Sequence, residues 1–239
     1  MSDLSPCTFD SSSDFIAGEL ILVNKPIEWT SFDVVKKVRN LLKKKLQIKK
    51  LKVGHAGTLD PLATGLLIIC TGKNTKKIEQ IQGQIKTYTG TFTLGATTPS
   101  YDLETEVDKV FPTSHITKEL LIETVKNFVG EIFQKPPVFS ALKKEGKRLY
   151  QYARNKKEVE VKERKVAVHA FEITNIELPT IHFKICCGKG TYIRSLAHDF
   201  GLYLNSGAHL SKLCRTKIGD YDLENALSIT ELIEKINPS

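Results

Sequence analysis

Apolar positions along the chain fall into short strand-like runs and longer stretches of helical period. Glu19 to Val23 is an apolar run closed by Asn24, Lys25 and Pro26, which predicts a strand that leaves its sheet at the proline. Leu66 to Cys70 and Tyr88 to Leu94 predict two more, the second alternating as a half-exposed antiparallel strand does. Val166 to Glu177 and Ile181 to Cys187 predict paired strands joined around Pro179. Val34, Val35, Val38, Leu41 and Leu42 recur at helical spacing behind Thr30 and Asp33, a capping-box-like start with Asp in place of the usual Glu or Gln. Thr117 to Val129 predicts an amphipathic helix with Thr117 as N-cap and Gly130 as its stop, and Tyr192 to Leu204 and Leu223 to Ile236 predict two others. Mixed element order without regular βαβ alternation predicts an α+β fold, a mixed, largely antiparallel central sheet with flanking helices. Residues 1–17, polar and rich in Ser and Asp, read as a flexible tail, and the fold is expected over 18–239.

Composition narrows the class. With 239 residues, 41% of them hydrophobic, the chain can bury one elaborated domain or two closely packed lobes. No apolar run approaches the ~18 residues of a membrane span, and Met1 to Ser13 lacks the basic start and apolar stretch of a signal peptide, so a cytoplasmic protein is expected. Five scattered cysteines without zinc spacing read as buried thiols, and no metal is expected. The formal charge of +8 suits a polyanionic partner. From Lys36 to Lys52 there are nine Lys or Arg and no acid, a solvated helix face or a phosphate-contacting surface, with the missing acids favouring the second.

Candidate chemistry gathers in Gly54 to Gly65 (GHAGTLDPLATG), where three glycines, His55 and Asp60 share a turn-rich stretch. Pro61 stiffens the chain and biases Asp60 towards extended backbone. An acid on a stiff loop before a strand can serve a cleft, or the Asp-Pro pair can be a plain turn; spacing leaves both open.

Five ordered motifs carry a resemblance: LVNKP at Leu22 to Pro26, VGHAGTLDPLATG at Val53 to Gly65, Lys86 to Tyr88, PPVFSALK at Pro136 to Lys143, and GTYIRSL at Gly190 to Leu196. Over roughly 18–225 the chain resembles the bacterial tRNA pseudouridine-55 synthases, the TruB family. The resemblance implies a pseudouridine synthase fold with its catalytic cleft across the sheet. It also implies isomerisation of the T-loop uridine at position 55 of tRNA, without metal or cofactor, by a monomer. Asp60 then matches the catalytic aspartate, Tyr88 the tyrosine that stacks on the target base, and Arg194 the arginine that pairs with the aspartate. Burial would raise the Asp60 pKa and a guanidinium would oppose this, keeping the acid ionised in a dry site. His55 matches the histidine that enters the T-loop when the base is flipped out.

Further RNA contacts are expected at Lys25, Gly57, Leu59 and Tyr192 within the motifs. Others are expected in residues 134–165, an RNA-gripping insertion that includes Lys143 and Arg148. From Lys143 to Lys165 that segment has ten Lys or Arg against four acids, with Tyr150 and Tyr152 interleaved. Each role has a structural alternative: Tyr88 as a core aromatic, Arg194 as an ion-pair partner of Asp199 or Asp102, Lys25 as a strand end. Too few residues follow Ala226 for the C-terminal PUA domain of many family members. The alternative functions are a guide-RNA-dependent synthase and a non-catalytic tRNA-binding or folding chaperone.

Overall fold

The computed structural model describes residues 9, 13–140, 142–144, 146–149, 152 and 159–237. The chain forms two compact units, residues 1–88 with 213–239, and residues 89–212.

In the first unit, β1 (Leu20–Lys25) lies antiparallel to β3 (Ala63–Thr71), with Leu20 opposite Cys70 and Lys25 opposite Gly65. The short β2 (Val53–His55) pairs with the far end of β3, placing Val53 opposite Thr71. On the other side Leu213, Cys214 and Arg215 of β12 (Ala208–Ile218) run parallel to Ala63, Thr64 and Gly65. Strand β3 is apolar throughout its middle because both faces are covered. Leu67 and Ile69 pack with Val34, Val35, Val38 and Leu42 of α1 (Ser31–Lys45) and with Leu232 and Ile236 of α5 (Ile229–Ile236). Leu66, Ile68 and Cys70 pack against Leu22, Ala56, Ile81 of α2 (Ile78–Gly83), Ile218 and Tyr221. Burial of each such aliphatic side chain is worth on the order of 1.5–3 kcal/mol, so β3 is a firmly packed frame for the loop at its end. The expected capping box is present: Thr30 Oγ1 accepts from Asp33 N–H, and Asp33 Oδ2 accepts from Thr30 N–H.

In the second unit, antiparallel β10 (Arg164–Glu177) pairs with β11 (Thr180–Cys187) on one side and β7 (Gly130–Gln134) on the other. Phe92, on β4 (Lys86–Leu94), lies 4.4 Å from Phe183 between ring centroids, and Phe171 and Phe200 close the same aromatic core. The short antiparallel pair β5 (Ala96–Thr97) and β6 (Lys109–Val110), with α3 (Lys118–Lys126) and α4 (Ile193–Tyr203), completes the unit. The sheet is largely antiparallel, as expected.

Two expectations are corrected. The helix capped by Thr117 ends at Lys126, and Gly130, at φ +103°, opens β7 rather than stopping a helix. Leu223 to Ile236 is a 3₁₀ turn (Leu223–Asn225) and then α5, whose own capping box at Ser228 and Glu231 restarts the helix. β12 was not legible, because its buried positions include His209 and Arg215 and so break any apolar pattern.

Candidate active site

Asp60 follows β2 and precedes β3, and the peptide groups on both sides of it are fixed. Upstream, the Ser31 hydroxyl accepts from Leu59 N–H at 2.8 Å and donates to Leu59 carbonyl at 3.1 Å. Ser31 is buried and is the first residue of α1, so the helix start doubles as a clamp on the loop. Downstream, the Pro61 carbonyl accepts from Glu28 N–H at 2.8 Å and from Lys25 Nζ at 3.3 Å. A turn closes with Ala63 N–H donating to Asp60 carbonyl at 3.1 Å. Asp60 is therefore a side chain on a pinned backbone rather than a mobile turn.

Lys25 is fully buried at the end of β1, and its ammonium also donates to the carbonyls of Pro26 and Trp29 at 2.8 and 2.6 Å. Burial pushes its pKa down to about 8, the Asp60 carboxylate opposes that fall, and the Arg215 guanidinium adds to it. The ammonium thus serves two ends, holding three carbonyls and facing the Asp60 charge.

Arg215, unmarked in the sequence, completes the frame. Fully buried on β12, it donates from Nε to Leu66 carbonyl at 2.9 Å and from Nη2 to Gly57 carbonyl at 3.0 Å. Gly65 is required beside it: at φ +103° a Cβ there would lie 2.4 Å from the Arg215 carbonyl oxygen. His55, on β2, is half-buried, and its pKa is lowered by burial and by Arg215, which keeps the imidazole neutral. Neutral imidazole is the form that stacks on a base without carrying a charge into the stack. Lys25, His55, Gly57, Leu59 and Asp60 are thus gathered around Arg215 and the α1 start, all in the first unit. Tyr88, on β4, is also in this unit and is buried.

Arg194 and Tyr192 belong to the second unit. Tyr192 caps α4, and the Gln134 amide holds it at both ends, accepting from its N–H at 2.8 Å and donating to its carbonyl at 3.1 Å. Ser195 Oγ donates to Lys135 carbonyl at 2.7 Å, so the start of the PPVFSALK region and the start of α4 are fixed together. Arg194, 3% exposed, lies 3.6 Å from Asp102 and donates to the carbonyls of Ser100 and Phe139. Of the two structural partners offered by the sequence, the structure supplies Asp102. Gln134, Ser31 and Arg215 all escaped sequence reading. Ser31 and Gln134 act through backbone contacts, which leave no residue pattern.

The Lys143 and Arg148 backbones pair across a two-residue hairpin, β8 (Lys143–Lys144) with β9 (Lys147–Arg148). Tyr150 lies outside the described residues, and Tyr152 is half-buried. Among the described residues no group of three or more His, Cys, Asp or Glu side chains could hold a metal ion, and no helix is long and apolar enough to cross a membrane.

Comparison with known proteins follows the same lines. Residues 43–193 match the TruB family pseudouridylate synthase N-terminal domain, and residues 194–237 match the tRNA pseudouridylate synthase B C-terminal domain. The chain is similar to tRNA pseudouridine synthase B of Flavobacterium johnsoniae, 60% identical over 93% of this chain and 98% of that one. It is also similar to the protein of that name from Parabacteroides distasonis, 55% identical over 92% and 93%. Among solved structures, a chain of a Cbf5-Nop10-Gar1 complex has a TM-score of 0.69 at 29% identity, covering 92% of this chain. This chain spans only 54% of that one. Together the fold, the pinned aspartate loop and near full-length similarity establish that the chain belongs to the TruB family of pseudouridylate synthases.

Proposed function

We propose that the chain isomerises the T-loop uridine at position 55 of tRNA to pseudouridine, with Asp60 as the essential carboxylate. The observation that carries the reading is the fixation of both peptide neighbours of Asp60, by Ser31 and by Lys25 with Glu28, beside a buried ammonium. Relatives named tRNA pseudouridine synthase B, matched over almost their whole length, supply the substrate class.

The reaction breaks the N1–C1′ bond of the uridine, turns the base, and forms a C5–C1′ bond. The C5 proton is lost and N1 ends protonated, so no oxidant, reductant or cofactor is consumed. The ionised carboxylate of Asp60 acts either as a nucleophile or as the base that removes the C2′ proton. Both roles need a charged acid held still near the sugar, and pre-fixed geometry of this kind lowers the entropic part of the barrier. Tyr88 faces the flipped base, His55 fills the space it leaves, and Arg194 balances the reacting carboxylate. Gly57, Leu59 and Tyr192 shape the contact surface, with Lys143 and Arg148 on the RNA backbone. The enzyme works as a cytoplasmic monomer.

The test is mass-spectrometric mapping of pseudouridine in an unmodified tRNA transcript incubated with the purified chain. One converted T-loop uridine is expected. Asp60→Asn should abolish conversion while leaving tRNA affinity within about threefold; undiminished turnover in this variant overturns the assignment.

A further inference from the structure

A second surface lies apart from the Asp60 loop, at the other end of β3. A concave groove of about 770 Å³ is lined there by four segments of the first unit, one of them contributing Ile16. α1 contributes Arg39 and Lys43, the loop after it Lys49, Lys50 and Lys52, and the 3₁₀ turn Gly72–Lys77 contributes Lys73 and Lys76. Among the described residues no carboxylate lines the groove, and none of its seven cations forms an ion pair. From residue 34 to residue 78 the only acid in the sequence is Asp60. Ala63 and Thr71 bound the nine residues of β3, so the groove lies about 26 Å along the strand from the loop, at ~3.3 Å per residue.

The groove floor is built rather than incidental. Gly72 N–H donates to Lys52 carbonyl at 2.9 Å, Lys73 N–H to Ala17 carbonyl at 3.1 Å, and Asn74 Nδ2 to Gly18 carbonyl at 2.8 Å. Gly72, at φ +50°, admits the 14–19 segment so closely that a Cβ would meet Ile16 carbonyl oxygen at 2.2 Å. These bonds hold the 3₁₀ turn against the loop after α1 and against residues 17–18, so their lysines line one space and repel one another over distances that salt screens only in part. An anion with several charges relieves that repulsion. Among the described residues the lining offers no aromatic ring, with Ile16 and Leu51 as its only large apolar residues, a wall unlike those that hold a nucleoside or other small ligand. What remains is recognition of repeated phosphates without reading of bases.

We propose that this groove is a second RNA-backbone site, which grips the phosphates of the substrate tRNA away from the target loop and supplies affinity without taking part in the chemistry. The inference rests on the tRNA substrate proposed above.

The test compares the full chain with the variant Lys49→Gln, Lys50→Gln, Lys73→Gln, Lys76→Gln. A charge-matched control carries Lys109→Gln, Lys118→Gln, Lys126→Gln and Lys184→Gln. The Kd for an unmodified tRNA transcript is measured over a range of salt, with single-turnover conversion at saturating tRNA. The groove variant should bind at least tenfold more weakly at ~0.15 M salt, and its log–log salt slope should fall by about 3, since each lost phosphate contact contributes ~0.7–0.9. Its saturating rate should stay within twofold of the parent, and the control's Kd within twofold. Equal Kd values for the two variants, or a weakened Kd with an unchanged slope, overturn the proposal. So does groove-dependent binding to phosphatidylglycerol vesicles, inorganic polyphosphate or a polyglutamate peptide with tRNA affinity intact, each of which assigns the groove to another partner. If the parent chain binds tRNA through the groove yet makes no pseudouridine, the proposed reaction fails and the groove assignment stands.

Discussion

Arg215 donates to the carbonyl of Gly57 at 3.0 Å, tying two residues 158 positions apart in sequence, and its Nε reaches Leu66 carbonyl from the same planar group. A guanidinium can bond two divergent carbonyls at once, whereas an ammonium offers donors from one atom. Arg215→Lys keeps the charge and loses the span, leaving a buried carbonyl unpaired at a cost of roughly 1–3 kcal/mol. The expected result is a fold that persists, tRNA affinity within about threefold, and a single-turnover rate reduced tenfold or more because the Asp60 loop is loosened. A parent-like rate in this variant removes Arg215 from the support of the loop.

Lys25 carries a pH signature. Its folded pKa of about 8 lies below its ordinary 10.5. Below about pH 8 the ammonium is charged and attracts Asp60; above it the charge is lost in the folded state, so turnover should decline as pH rises through about 8. Lys25→Met should turn over more slowly throughout and lack that limb. For stability the sign is opposite: between about 8 and 10.5 the unfolded chain holds the extra proton, so stability due to this group rises with pH across that window. Melting temperatures of parent and Lys25→Met over pH 7 to 10 measure the difference.

Asp199, on α4, has its pKa raised to about 6, first by burial and then by the charge of Glu163. The folded state therefore binds the proton more tightly than the unfolded chain, and stability from this group is present below about pH 4 and lost as pH rises to about 6. Asp199→Asn should melt higher than the parent at pH 7 to 8, with the advantage shrinking to nothing near pH 4. A constant offset across that range would mean that the carboxylate charge is not the cause.

The legible part of the fold was the part governed by local rules. Apolar runs gave β1 and β3 because their neighbours are apolar on both faces, and Thr30 with Asp33 announced α1 through a bond between adjacent turns. β12 stayed hidden because it buries Arg215 and His209, residues whose type predicts exposure. The candidate site divides in the same way. Asp60, His55 and Arg194 stood out as motif residues, while Ser31, Gln134 and Arg215 support them through carbonyl and amide groups that every residue has. Periodicity also could not reveal Gly130 as a strand start, since a glycine at positive φ serves a helix end and a strand entry equally.

The Arg215 anchor also bears on biosynthesis. Ser31, Glu28 and Lys25 lie within about 35 residues of Asp60, so their clamps can close soon after that stretch leaves the ribosome. The Gly57 and Leu66 carbonyls must wait for Arg215, 158 and 149 residues further along the chain. A nascent chain that has not yet added β12 therefore carries the aspartate loop half-fastened, held by Ser31, Glu28 and Lys25 alone.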